Sequence, residues 1–194
     1  MLKKLSLITL STISAFAMHT AEININDKDL ELKGKFDLGQ VNDTVEPNTT
    51  FVGISYLNGD DDNADSNVNG YFEANFLMKR EVKNSGITFG IGVKSNYTKI
   101  NNSSINTIPL GLEVGYKIPF SIPSTINAKV YYAPQSLSFG EADEFLEYRL
   151  DFNVEVIERG SLVLGYRNID INLKNSQNDI TFNKSVYFGF RFAF

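Results

Sequence analysis

From Val186 to Phe194 apolar side chains occupy every even position, and the odd positions hold Tyr187, Gly189, Arg191 and Ala193. Alternate side chains of a strand point to opposite faces, so this segment predicts a strand with one solid Val/Phe face and one small or polar face. The same alternation is clearest from Glu144 to Val156. There Leu146, Tyr148, Leu150, Phe152, Val154 and Val156 face one way, and Glu147, Arg149, Asp151, Asn153 and Glu155 the other. Period-two runs recur at Leu30–Leu38, Thr50–Tyr56, Val68–Met78, Ile87–Tyr97, Asn106–Ile118, Thr125–Tyr132, Ser161–Leu173 and Ile180–Phe194. Within Ser161–Leu173 the apolar residues change parity near Asn168, from Leu162, Leu164 and Tyr166 to Ile169, Ile171 and Leu173. That predicts a bulge there, or the strand's exit from a membrane.

Most runs have the roughly 9–11 residues that a tilted strand needs to cross a bilayer. The breaks alternate in length. Glu81–Gly86, Pro119–Ser124 and Glu158–Gly160 are short; Asn58–Asn67, Thr98–Ile105, Ala133–Asp143 and Lys174–Asp179 are longer and polar. Barrels of the outer membrane place short turns at the periplasmic end and longer loops outside. Tyr56, Tyr97, Tyr132, Tyr148 and Tyr166 lie on apolar faces at the end with the longer loops, and Tyr116 at the other, as an interfacial belt requires. The predicted fold is all-β, an antiparallel up-and-down transmembrane β-barrel. Both termini should be periplasmic, so the strand number is even. Ten strands follow if Glu22–Asn26 supplies a short first strand with a turn at Asp27-Lys28-Asp29. Eight plus an N-terminal appendage is the alternative.

The N-terminus reads as a secretory signal: Lys3 and Lys4, an apolar and hydroxyl run from Leu5 to Ala17, then Ala15-Phe16-Ala17 at a small-x-small cleavage site. Residues 1–17 are the predicted leader, with cleavage after Ala21 as the alternative, and 18–194 a single barrel domain. The run is too short for a spanning helix, and no later segment replaces it. The near-neutral mean hydropathy fits a barrel, whose hydrophobicity is spread over alternate residues. Absence of cysteine excludes a disulfide-stapled secreted domain. Fifteen Phe and nine Tyr suit a strand-rich chain with aromatic girdles. Loss of Lys3 and Lys4 takes Lys+Arg from 18 to 16 against 23 acidic residues, a mature charge of −7. An acidic chain has no general attraction to nucleic acid, which is set aside as a partner.

The only histidine, His19, lies beside the cleavage site. Outer-membrane phospholipases, palmitoyltransferases and omptin-type proteases depend on a catalytic histidine, so likeness to them fails. Ser/His and Cys/His nucleophilic sites and a Cys/His zinc site are excluded too. No cofactor, metal or catalytic residue is predicted, and the chain is not expected to be an enzyme. Glu73, Lys94, Glu113, Lys129, Glu147, Arg149, Asp151, Arg167 and Arg191 are the candidate lumen charges, a hydrated or salt-bridged interior. The run Asp60-Asp61-Asp62-Asn63-Ala64-Asp65 has a calcium-loop composition but lacks the loop's Gly and Glu, with Ser66 and Phe72 in their places, and reads as a solvated acidic loop. Phe194 with Phe192, Gly189 and Tyr187 resembles the C-terminal signal that the outer-membrane barrel insertion machinery reads.

Val130-Tyr131-Tyr132-Ala133-Pro134-Gln135-Ser136-Leu137-Ser138-Phe139, Ala142-Asp143-Glu144-Phe145-Leu146-Glu147-Tyr148 and Leu164-Gly165-Tyr166-Arg167 resemble the YfaZ family of small outer-membrane proteins. Ile23-Asn24-Ile25-Asn26 and the closing strand match its style. The resemblance implies a barrel in the bacterial outer membrane and brings no catalytic residues. Expected partners are outer-membrane lipid, lipopolysaccharide and the insertion machinery. A structural or surface-interaction role with a side-chain-filled lumen is the first expectation; a narrow channel or binding barrel for a small solute is the second; an enzyme comes last.

Overall fold

The alternation resolves into twelve strands in the computed structural model, which describes residues 19–58, 70–83, 85–100, 103–174 and 180–194. They are β1 (Thr20–Ile25), β2 (Leu30–Asp37), β3 (Thr50–Asn58), β4 (Tyr71–Glu81), β5 (Ile87–Ile100), β6 (Ser103–Thr107), β7 (Leu110–Ile118), β8 (Ser124–Ala133), β9 (Ser138–Gly140), β10 (Ala142–Ile157), β11 (Gly160–Leu173) and β12 (Ile180–Ala193). All pairings are antiparallel. Ten of the strands close a ring in the order β1-β2-β3-β4-β5-β7-β8-β10-β11-β12, and β1 pairs back onto β12. The predicted signal sequence and the acidic run at 60–65 lie outside the described residues.

Both ends of the described barrel, His19 and Phe194, sit at one end of the ring and exchange backbone hydrogen bonds of 3.0 and 2.9 Å. The connections 82–86, 119–123 and 158–159 at this terminal end are short, but 38–49 is not. Asp37 explains how so long a connection holds its shape, because its carboxylate accepts from the Gly39 N–H (3.0 Å) and the Asn48 N–H (2.6 Å). The aspartate ties both ends of the loop to one buried side chain. It also caps the 3-10 turn Leu38–Gln40.

At the opposite end, β5 pairs with β7 over Ile87–Val93 and with β6 over Asn96–Ile100. The ladder breaks at Pro109, which has no N–H to give; its carbonyl accepts from Lys94 N–H. β9 adds to β6. Thr98–Ile105, expected as a loop, is therefore mostly strand. Ala133–Asp143, also expected as a loop, contains a 3-10 turn at Gln135–Leu137, the short β9 and the start of β10. The expectation failed because the faces exchange polarity at this level. Lower down, the outer face is apolar: Ile91 is 70% and Val186 61% exposed. Higher up, Ile100, Ile105, Phe145, Ile169, Ile171, Ile180 and Phe182 point inward as a buried cluster, while Asn58, Lys99, Ser104, Asn106 and Lys184 point out.

The same exchange accounts for the parity change near Asn168. β11 keeps its odd positions Val163, Gly165, Arg167, Ile169 and Ile171 inward throughout. The bulge lies on the partner strand: Ile169 opposes Asn183 and Asp170 opposes Thr181, so Phe182 is the extra residue. The outward Tyr residues mark the level at which the faces exchange. Tyr56, Phe72 and Tyr97 lie directly opposite one another across β3, β4 and β5, and Tyr148 is 6.0 Å from Tyr166.

Candidate functional site

The interior has three levels, each built from the inward positions of different strands. Nearest the long loops is the apolar cluster, which Leu57, Tyr71, Tyr131 and Ala133 complete. Beneath it lies a web of charges. Arg167, 1% exposed, donates from Nε to Asn183 Oδ1 (2.8 Å) and from Nη2 to Ser185 Oγ (3.1 Å) and Asp29 Oδ2 (3.3 Å). Its Nη1 lies 2.9 Å from Glu31 Oε2. Arg149 donates to Glu31 Oε1 (2.6 Å) and to Glu147. Lys94 bridges Glu147 (2.6 Å) and Glu73 (2.8 Å). Lys33 lies 3.1 Å from both Glu22 and Glu31, and Arg191 Nε donates to Glu22 at 2.6 Å.

An isolated buried charge costs several kcal/mol, about the whole stability of a small domain, so each must be compensated locally. The web does this by sharing: Arg167, Arg149, Lys94 and Lys33 each meet two carboxylates, and Arg191 meets one. Two phenols complete it: Tyr187 donates to Asp151, and Tyr131 donates to Glu113 at 2.8 Å. Room for these rings comes from glycine on the neighbouring strand, since Tyr131 opposes Gly111 and Tyr187 opposes Gly165. A Cβ at either glycine would collide with the ring.

The third level, at the terminal end, is rich in cations: Lys35, Lys79, Lys129 and Arg191 line a cavity of about 80 Å³ together with Glu113, Thr88 and Asn127. A second cavity of about 60 Å³ lies against Lys33, Lys35, Glu73, Lys94, Glu113 and Arg149. Both are small beside the ion-pair web and the apolar cluster that share the interior with them.

The nine charges singled out from the sequence all lie on the inner face. Eight of them join the ion-pair web or its edge: Glu73, Lys94, Glu147, Arg149 and Arg167 at its centre, Lys129 3.5 Å from Asp151, and Arg191 on Glu22. Glu113 stands apart, held by Tyr131. Sequence reasoning missed Glu22, Asp29, Glu31, Lys33, Lys35 and Lys79. The alternation of Glu31, Lys33 and Lys35 along β2 carried that signal; Glu22 and Asp29 sit in a strand and turn too short to display one. Of the C-terminal residues, Tyr187 and Gly189 face inward and Phe192 outward. The Phe194 ring meets His19 edge-on at 6.0 Å. Among the described residues no three His, Cys, Asp or Glu side chains gather as a metal-binding set.

No curated protein matches the chain. A family model described as YfaZ precursor matches residues 2–194.

Proposed function

Because the chain belongs to the YfaZ family, described as precursors and hence exported, we propose that it is an integral barrel of the bacterial outer membrane with a structural or surface-interaction role. The observation that carries this reading is the exchange of the two faces at the Tyr level. An apolar exterior over a charged interior is what a bilayer demands of a barrel wall, and Tyr rings favour its interface. A polar exterior over an apolar interior is what water demands. One wall meets both conditions, on either side of one ring of Tyr. In this reading the terminal end is periplasmic and the loop end faces outward. Outer-membrane lipid and lipopolysaccharide are the surroundings, and β12 is the segment that the insertion machinery engages.

Residues 1–17 are then the cleaved leader. Cleavage after Ala17 keeps Thr20 and Ala21, which pair with Ala193 and Phe192. The reading includes no catalytic step. His19 accepts a hydrogen bond from Asp37 N–H at 3.1 Å and contacts Phe36 and Phe194, a structural environment. Membrane fractionation tests the reading. The protein should stay with outer membranes through carbonate and urea washes and migrate faster unboiled than boiled. Release by the washes, with no compact unboiled form, would overturn it.

A second reading, a binding barrel or narrow channel for a small solute, draws on the cation-rich cavity at the terminal end. Planar-bilayer recording separates the two. The filled interior predicts a silent bilayer, and stable single-channel steps would select the channel.

A further inference from the structure

Lys35 and Lys79 break the rule that the rest of the interior obeys. Among the described residues, neither has a carboxylate oxygen within 4 Å of its ammonium group. Both ammonium groups lie over the same ring, Phe51, at 5.1 and 4.6 Å from its centre. Two like charges thus share one aromatic ring. Lys129 reaches Asp151 only at 3.5 Å, and Arg191 spends its charge on Glu22. Glu113, whose Oε1 accepts from the Tyr131 hydroxyl, is the one carboxylate in the cavity wall, a single negative charge facing four cations. Thr88 and Asn127 add neutral donors to the same wall.

These cations come from β2, β4, β8 and β12, so four strands from across the ring aim positive charge at one point. Two partly buried ammonium groups with no ion pair of their own among the described residues, Lys35 and Lys79, are stabilised when a counter-charge joins them. We propose that this cavity is a binding site for a small oxyanion of the phosphate type, held by Lys35 and Lys79 with Lys129 and Arg191 behind them. Its volume of about 80 Å³ has room for an anion of a few heavy atoms. Access is from the terminal end. The cavity shares Lys79 and Thr88 with a mouth of about 730 Å³ lined by the 38–49 connection, Arg80, Lys83 and Lys117. In that mouth Arg80 pairs with Glu46 and Lys117 with Glu81, which leaves the inner lysines as the deeper attraction. The inference rests on the outer-membrane reading only for the compartment that supplies the anion.

The test uses the full mature chain folded in zwitterionic nanodiscs, in a phosphate-free buffer at low salt, with inorganic phosphate titrated by calorimetry. A saturable isotherm is expected that weakens as salt rises. K35Q and K79Q should each weaken it by about tenfold or more, the scale of a lost charge-assisted contact. K99Q, which removes the same charge at the opposite end, should leave it within about twofold. A phosphate held on a lipid headgroup is distinguished by adding phosphatidylglycerol to the discs: that source predicts loss of the free-phosphate isotherm, and a soluble source predicts no change. Phosphate should also protect Lys35 and Lys79 of the wild-type chain, and not Lys99, from an amine-acylating reagent, a readout that needs no variant. Absence of both isotherm and protection, or equal affinities for K35Q, K79Q and wild type with heat-modifiable migration retained, overturns the proposal. Neither result bears on membrane location, which fractionation decides alone.

Discussion

Arg167 holds four partners from three other parts of the chain: Asp29 in the first turn, Glu31 on β2, and Asn183 and Ser185 on β12. Removing it takes a cation from Asp29 and from Glu31, although Glu31 keeps Arg149 and Lys33 and Asp29 keeps the Asn183 amide, and breaking a buried pair from one side costs about 3–5 kcal/mol. Arg167→Gln should therefore lower unfolding stability by that order, measured by urea titration of the folded barrel in detergent. Tyr187→Phe is a gentler cut. It leaves the ring in place over Gly165 and deprives Asp151 of one donor, with an expected loss of about 1–3 kcal/mol in the same assay. That Arg149 and Arg167 face inward was legible in the sequence, because their strands alternate cleanly. Their partners were not. Arg149 and Glu31 lie 118 residues apart, and only closure of the ring brings β2 to face β10.

At the scale of elements, β10 shows both what alternation reveals and what it hides. Its outer face of Leu150 and Phe152 and its inner face of Arg149, Asp151 and Asn153 stand as the sequence pattern has them. An Arg at the bilayer midplane costs about 2–4 kcal/mol in barrels of this kind. Phe152→Arg should accordingly reduce the yield of heat-modifiable protein refolded into lipid vesicles. Refolding at the wild-type yield would mean that this face does not meet lipid. Asp151→Asn is a poor neutral control, since Asp151 accepts from Tyr187 and neighbours Lys129. Asn153→Ser is better, because it gives up one hydrogen bond, to Thr125 at 3.2 Å. Strand ends near the long loops were less legible, because an Asn- and Ser-rich exterior looks like a loop when only apolar periodicity is followed. The order of 38–49 was likewise hidden, since it depends on one aspartate reaching Gly39 and Asn48. Asp37→Ala should free both ends of that connection, and limited proteolysis of the folded protein should then cut within 38–49 well before the wild type is touched.

For the molecule as a whole, the closed antiparallel ring and its ten strands were readable from alternation and parity. The filling of the interior was not, because it depends on how ten inner faces meet. Every ladder of the ring except one joins strands that are neighbours along the chain or separated only by a short connection. The exception is the seam, where Thr20 opposes Ala193 and Ile25 opposes Phe188. Because His19 and Phe194 are already in backbone contact, the described barrel, residues 19–194, is a near-complete loop. A circularly permuted chain, with a short Gly/Ser bridge across the old ends and new ends cut at Glu158-Arg159, should refold in detergent to the same compact species. In a living cell it should fare worse, since β12, the segment proposed to engage the insertion machinery, no longer closes the chain. Equal success in both settings would show that the biosynthetic start and stop carry no message; a gap between them would measure how much of this sequence is addressed to the assembly apparatus and how much to the barrel.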